Sequence, residues 1–185
     1  MSERSGLRRL NALISAVMMA LFLIHAIGNV LQMSGVGVPL PMALSWTLVG
    51  MSCVHAAIGV VLTVDTLRAQ RRAGVAYWRQ NVRFWVVRAS GLALALLICA
   101  HALIFVKPAG EFLRLPAFLK PQLVLSLLLV LALAVHVLAN VEPLLVSLGV
   151  GPTRERAADL MLALAVMLVL MAIGFILYYL RWSVV

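Results

Sequence analysis

Residues 84–105 read FWVVRASGLALALLICAHALIF, a run that is long and apolar enough to cross a lipid bilayer as a single helix. The imidazole of His101 lies deep inside this run. An ionisable side chain at membrane depth is energetically costly, and residues of this kind usually mark a functional site in membrane proteins. The stretch therefore predicts a transmembrane helix that carries a functional residue. Its length, and the depth of its histidine, can be compared with those of the other apolar runs.

The composition of the whole chain is that of a membrane protein. The 185 residues are 64% hydrophobic and 11% charged, with a mean hydropathy of +1.10, and these values lie outside the range of soluble globular domains. The apolar runs predict an all-α fold, in which residues 1–185 form one domain, an integral membrane bundle of five transmembrane helices. These helices are expected at about residues 11–33, 42–67, 84–106, 121–149 and 157–180.

The net charge of +9 comes mostly from arginines and lysines that flank the spans, so it predicts contact with lipid headgroups and no binding of nucleic acid. Ten of these cations lie in the N-terminal segment, the segment 68–83 and the turn 150–156. Four lie on the opposite side: Lys107, Arg114, Lys120 and Arg181. Because cytoplasmic segments carry the excess of positive charge, we expect a cytoplasmic N-terminus, a C-terminus outside, and a multi-pass location in the inner (cytoplasmic) membrane.

The chain has four histidines, and each lies in a different one of the first four predicted helices: His25, His55, His101 and His136. One imidazole per helix suggests two metal sites with two histidine ligands each, for which haem iron is the obvious metal. No Cys-x-x-Cys-His motif occurs, which excludes covalently attached haem. Zinc would require three or four clustered ligands, and histidines at two different depths do not provide such a cluster.

The depths of the histidines in the membrane predict how they pair. With the orientation above, His25 and His101 lie in the outer half of the bilayer and His136 lies in the inner half. His55 lies near the middle of its helix and is the remaining partner for His136. The predicted metal ligands are therefore His25 with His101 in an outer site and His55 with His136 in an inner site, with one haem b in each.

A small residue precedes every histidine by ten positions: Ser15, Ser45, Gly91 and Ser126. Ten residues span about 15 Å of helix, which is a plausible step from one haem level to the other. We therefore expect each small residue to let its helix pass close to the haem that this helix does not ligate. Ser90 lies on the helix face of His101 and belongs to the same set. The alternative is that these residues only allow close helix packing.

Together these motifs resemble the dihaem cytochrome b membrane-anchor subunit of succinate dehydrogenases and fumarate reductases, the succinate:quinone oxidoreductase family. The resemblance covers about residues 10–145. It rests on one histidine in each of the first four of five spans, on Ser90-Gly91 followed by His101, and on His55-Ala-Ala-Ile-Gly59. In that family the first and third histidine-bearing helices ligate one haem, and the second and fourth ligate the other.

The resemblance implies a function as well as a ligand set. Subunits of this family anchor a flavoprotein and an iron–sulfur subunit on the cytoplasmic side, and they have no activity by themselves. They transfer electrons between those partners and a membrane quinone, either menaquinone or ubiquinone, through the two haems. The chain is thus expected to be the quinone-reactive subunit of an oxidoreductase complex.

Charged residues near the helix ends receive roles on the same basis. Arg83 and Arg88 are candidates to pair with propionates of the inner haem, which need a cation near the membrane edge. For Arg83 the alternative is anchoring at the positively charged inner surface. Glu142 and Asp65 are expected to pair with cytoplasmic arginines. Glu111 is the only acidic residue on the outer side, and it is either a proton acceptor for quinol or an ordinary loop residue.

Two other kinds of protein compete with this interpretation. The cytochrome b subunit of a hydrogenase or formate dehydrogenase would also be redox-active, but that group often has two histidines on one helix, which this chain lacks. A small membrane transporter or assembly factor would use the histidines as a proton relay. Such a protein would be expected to have acidic residues within the membrane, or helices broken by glycine or proline at mid-depth.

Overall fold

A computed structural model describes residues 2–37, 40–74, 81–105, 108–109, 112–113, 118–151 and 154–183. Within these ranges the chain forms five α-helices: α1 Ser2–Ser34, α2 Met42–Arg72, α3 Val82–Phe105, α4 Lys120–Ser147 and α5 Arg154–Ser183. All five are long and apolar enough to cross a membrane, which confirms the predicted all-α fold with five transmembrane helices. Between α3 and α4, β1 (Pro108–Ala109) and β2 (Phe112–Leu113) form a two-residue antiparallel pair.

The helices are longer than the apolar runs from which they were predicted. The first helix begins at Ser2 rather than near residue 11, and the second continues to Arg72 rather than ending near residue 67. Basic residues in the last turn of α2 interact favourably with the negative end of the helix dipole, so the helix does not end where the apolar run ends. It ends at Arg72, and two residues later Gly74 has a φ of 66°, a conformation that glycine adopts without steric cost.

The helices form two hairpins, α1 with α2 and α3 with α4, and α5 packs against α4 and α1. Part of the core lies where α5 meets the other two helices. Its buried side chains are Met33, Phe118, Val130, Leu168, Phe175 and Tyr178. Phe118 is 1% exposed and stacks on Phe175 with 6.0 Å between ring centres. This aromatic contact fixes the beginning of α4 against the end of α5.

Many large apolar side chains of the helices point away from the bundle, among them Leu92, Leu96, Leu103 and Leu162. In α2 no residue is buried within the protein. In a membrane the lipid tails cover such surfaces, because they are as apolar as the side chains themselves. The exposed apolar surface therefore agrees with a bundle that is embedded in lipid.

Arg83 connects α3 to α4 near a proline. Pro143 lies inside α4 and has no N–H, so the carbonyl oxygen four residues earlier, that of Ala139, lacks its usual helical donor. Nε and Nη2 of Arg83 donate hydrogen bonds to this oxygen, at 3.1 and 3.0 Å. Nη1 of Arg83 forms an ion pair with Glu142 at 3.0 Å. The expected pairing of Glu142 with a basic residue is thus confirmed.

Candidate functional site

The first hairpin brings each of its histidines against a serine of the partner helix. Oγ of Ser15, in α1, lies 3.2 Å from Nδ1 of His55 in α2. Conversely, Oγ of Ser45, in α2, lies 3.4 Å from Nδ1 of His25 in α1. The two contacts are reciprocal because the helices are antiparallel, so that an advance of ten residues along α1 corresponds to a return of ten residues along α2.

The second hairpin repeats the arrangement at one of its histidines. Oγ of Ser90, in α3, lies 3.1 Å from Nδ1 of His136 in α4. A Cβ atom added to Gly91 would lie 3.2 Å from Cε1 of this imidazole, closer than ordinary van der Waals contact. The absence of a side chain at Gly91 therefore lets the ring of His136 approach the backbone of α3.

These contacts define two levels along the bundle. We use the term basic end for the end where α1 begins and α2 stops, since Arg8, Arg9, Arg71 and Arg72 lie there. The basic-end level consists of Ser15, His55, Ser90, Gly91 and His136. The far level consists of His25, Ser45 and His101. The levels are ten residues apart on α1, α2 and α3, which is about 15 Å along a helix.

The structure brings the two histidines of the basic-end level together across the hairpins. The ring centres of His55 and His136 are 6.3 Å apart, and the ring planes are at 89° to each other. A metal ion bound between two imidazoles through bonds of about 2 Å requires ring centres roughly 6 Å apart. The distance between the rings of His55 and His136 would therefore allow both imidazoles to hold one metal.

His25 and His101 lie ten residues beyond Ser15 and Gly91 on their helices, which places both histidines in the far level. All four imidazoles are half-buried within the protein. In the described part of the chain no three residues among histidine, cysteine, aspartate and glutamate cluster as a metal site would require. Among the four candidate ligands, a direct ring contact is described for His55 with His136.

The hydrogen bonds of the serines determine which imidazole nitrogen is available to a metal. The hydroxyl of Ser15 donates its single proton to the carbonyl oxygen of Asn11 at 2.8 Å, and that of Ser90 donates to Val87 at 3.2 Å. With the hydroxyl protons on these carbonyl oxygens, each Oγ accepts a hydrogen bond from the imidazole, which corresponds to the tautomer with its proton on Nδ1. Nε2 of His55 and His136 then carries the lone pair, which is the form of histidine that binds a metal.

Arg88 lies close to the basic-end level. Its Nε donates to Oγ1 of Thr63 at 3.2 Å, and its guanidinium carbon lies 3.8 Å above the ring centre of Phe84. Arg88 lies two residues before Ser90, whose Oγ contacts His136. Arg83, in contrast, has Nε, Nη1 and Nη2 engaged with Ala139 and Glu142. Two arginines were predicted at the inner site. Of these, Arg88 is the one that lies beside a residue in contact with His136.

Two asparagines contact the histidines and were not singled out from the sequence. Nδ2 of Asn29 donates to the carbonyl oxygen of His25, and Nδ2 of Asn140 donates to that of His136, both at 2.6 Å. The signal that would have identified them is an internal repeat. Both α1 and α4 contain a serine, nine further residues, a histidine, three further residues and an asparagine.

Glu111, the candidate proton acceptor, lies outside the residues that the structure describes. Comparison of the chain with protein-family models, with curated proteins and with solved structures found no match. The functional assignment therefore rests on the geometry of the chain.

Proposed function

We propose that the chain is the membrane-anchor cytochrome b subunit of a quinone-linked oxidoreductase of the succinate dehydrogenase or fumarate reductase type. It would bind two haems b and transfer electrons between a membrane quinone, menaquinone or ubiquinone, and a flavoprotein with its iron–sulfur subunit. The observation that carries this proposal is the pair of imidazoles of His55 and His136, 6.3 Å apart and each held on Nδ1 by a serine.

The donor set suits haem for two reasons. Two neutral imidazoles, those of His55 and His136, would hold one haem iron. A hydrogen bond at Nδ1 fixes the ring orientation and the tautomer of a metal-ligating histidine, and Ser15 and Ser90 provide such bonds. Haem iron, when bound, supplies reversible one-electron transfer at a potential that ligation, hydrogen bonding and burial adjust.

Each residue of the site then has a defined task. His55 and His136 would hold the haem of the basic-end level, and His25 and His101 would hold that of the far level. Gly91 leaves room for the ring of His136. Arg88 is the candidate partner for a propionate at the basic-end level, because a carboxylate within the membrane requires a cation. Arg83 would contribute less, since its donors are engaged with Ala139 and Glu142.

The orientation of the chain and its partners are part of the same proposal. The basic end would face the cytoplasm, because positively charged segments are retained on that side of the inner membrane. The flavoprotein and iron–sulfur subunits would dock there, close to the basic-end level. The far level, about 15 Å away along the helices, would exchange electrons with quinone from the opposite side.

The proposal is tested by measuring the haem content of the purified protein. The chain is produced in cells supplied with haem, purified in detergent and assayed as the pyridine haemochrome, with the protein concentration measured independently. We expect two haems b per chain and a reduced-minus-oxidised spectrum of low-spin b-type cytochrome. A folded protein that contains no haem would contradict the proposal and would favour a histidine proton relay, as in a small transporter.

A further inference from the structure

The contacts of α3 and α4 establish which of their residues lie opposite each other. In an antiparallel pair of helices, each step forward along one helix corresponds to a step back along the other. Gly91 and Ser90 lie against His136, and Arg83 lies against Ala139 and Glu142. Ten residues beyond Gly91 is His101, and ten residues before His136 is Ser126. The same register therefore places Ser126 opposite His101.

Ser126 is distinct among the polar side chains of the bundle because it is fully buried. Its exposed fraction is 0%, and its Oγ has no hydrogen-bond partner among the described residues. Buried hydroxyl groups in proteins nearly always have a hydrogen-bond partner, because leaving one without a partner is costly. The burial of Ser126 therefore indicates that its Oγ has a hydrogen-bond partner in the functional protein.

The hairpin of α1 and α2 indicates which group this hydrogen-bond partner is. There, the serines ten residues before each histidine contact Nδ1 of the partner helix's histidine, in both directions. In the second hairpin the contact of Ser90 with His136 is the first half of the same reciprocal arrangement. The corresponding second half would be Ser126 with His101. With it, each level would contain two histidines and two serines, contributed alternately by the four helices.

We infer that Ser126 is the positioning residue of His101, and that its Oγ accepts a hydrogen bond from Nδ1–H of that imidazole when Nε2 ligates the haem of the far level. The inference rests on the proposed function and adds to it the group that orients the fourth ligand. A hydrogen bond from Nδ1–H makes the imidazole a stronger electron donor to the iron. This stabilises the oxidised form and lowers the reduction potential of the far-level haem.

The test is a potentiometric titration of the purified two-haem protein and of its Ser126→Ala variant, followed by the visible spectra of the haems. The far-level haem is identified as the one that the His55→Ala variant retains. In Ser126→Ala we expect the potential of this haem to become more positive, and its retention during purification to fall about 10-fold or more. The potential of the basic-end haem should stay at its wild-type value.

Three further variants separate this effect from a general disturbance. Ser90→Ala should raise the potential of the basic-end haem and leave the far-level haem unchanged. Ser52→Ala serves as the control, because Oγ of Ser52 donates to the carbonyl oxygen of Leu48 and neither potential should change. Ser126→Cys keeps a side chain of similar size but is a poor hydrogen-bond acceptor, so it should change the far-level potential as Ser126→Ala does. It replaces Ser126→Ala in the test if alanine at this buried position impairs folding.

The outcomes distinguish this inference from the proposed function. Two haems in the wild-type protein, with unchanged potentials in both Ser126→Ala and Ser126→Cys, would overturn the role of Ser126 and leave the proposed function intact. A shift of both haems by the same amount in Ser126→Ala would also overturn it, since the serine would then act through the fold. A wild-type protein without haem would overturn the proposed function and this inference with it.

Discussion

At the scale of single residues, the site consists of imidazoles whose orientation is set by small residues on the neighbouring helix. The sequence identified the histidines, because an imidazole in an apolar span stands out against its surroundings. It also revealed the ten-residue offset of the small residues, but not what they contact. We expected them to let each helix pass close to the haem that it does not ligate, and Ser15, Ser45 and Ser90 contact Nδ1 atoms of histidines on the neighbouring helix. The position of a contact partner depends on the register of two helices, which neither helix encodes alone.

The contact of Gly91 with His136 gives a prediction at this scale. A Cβ atom at position 91 would lie 3.2 Å from Cε1 and 3.5 Å from Nδ1 of His136, so Gly91→Ala should displace the ring by a few tenths of an ångström. Disturbance of a group that positions a metal ligand weakens metal binding about 10–100-fold. We expect Gly91→Ala to lose the basic-end haem selectively, as measured by the pyridine haemochrome and by redox titration.

Gly50→Ala is the matched control for this prediction. Gly50 lies in α2, and a Cβ atom there would have no neighbour within 4 Å. This variant makes the same chemical change inside a transmembrane helix and should retain both haems. Equal haem loss in Gly50→Ala and Gly91→Ala, or full retention in both, would show that the approach of His136 to α3 does not matter for the site.

At the scale of helices, the sequence predicted the number and type of the elements but not their ends. The number follows from hydropathy, because each span needs about 20 apolar residues. The ends do not, because the helices continue into charged segments where hydropathy carries no signal, as α1 does from Ser2 and α2 does to Arg72. Neither α3 nor α4 alone predicts that Arg83 donates hydrogen bonds to the carbonyl oxygen that lacks its helical donor because of Pro143.

The contact of Arg83 with Ala139 gives a prediction at the scale of helices. Arg83→Ala removes two hydrogen bonds to a carbonyl oxygen that Pro143 deprives of its helical donor. We expect the variant to be destabilised by about 1 kcal/mol, because a net hydrogen bond contributes on that order and Arg83 is half-exposed. The measurement is the thermal unfolding midpoint in detergent, compared with that of the wild-type protein.

A double-mutant cycle isolates this effect. Pro143→Ala restores an N–H that can donate to Ala139, so Arg83→Ala should cost less in that background than in the wild-type protein. Glu142→Ala removes only the exposed ion pair, which contributes little by itself, and should lower the midpoint less than Arg83→Ala does. If the cost of Arg83→Ala is the same with and without Pro143, the guanidinium does not replace the missing helical donor.

At the scale of the whole molecule, the main feature is that the histidines and small residues of four helices lie at two levels along the bundle. From the sequence, His55 and His136 were expected to lie close together, because the rise per residue of a helix is constant and the order of the spans fixes their direction. Their ring centres are 6.3 Å apart, and the pairing of His25 with His101 stays a prediction. The sequence could not predict the reciprocal use of serines by the two helices of a hairpin, because this feature arises only when the helices pack.

The most direct test of the account is haem analysis of four single variants: His25→Ala, His55→Ala, His101→Ala and His136→Ala. Each is purified and its haem content and midpoint potentials are measured beside those of the wild-type protein. The account predicts that each variant falls from two haems to one. His55→Ala and His136→Ala should lose the same haem, and His25→Ala and His101→Ala should lose the other. Loss of the same haem in His25→Ala and His55→Ala, or two haems retained in any variant, would contradict the account.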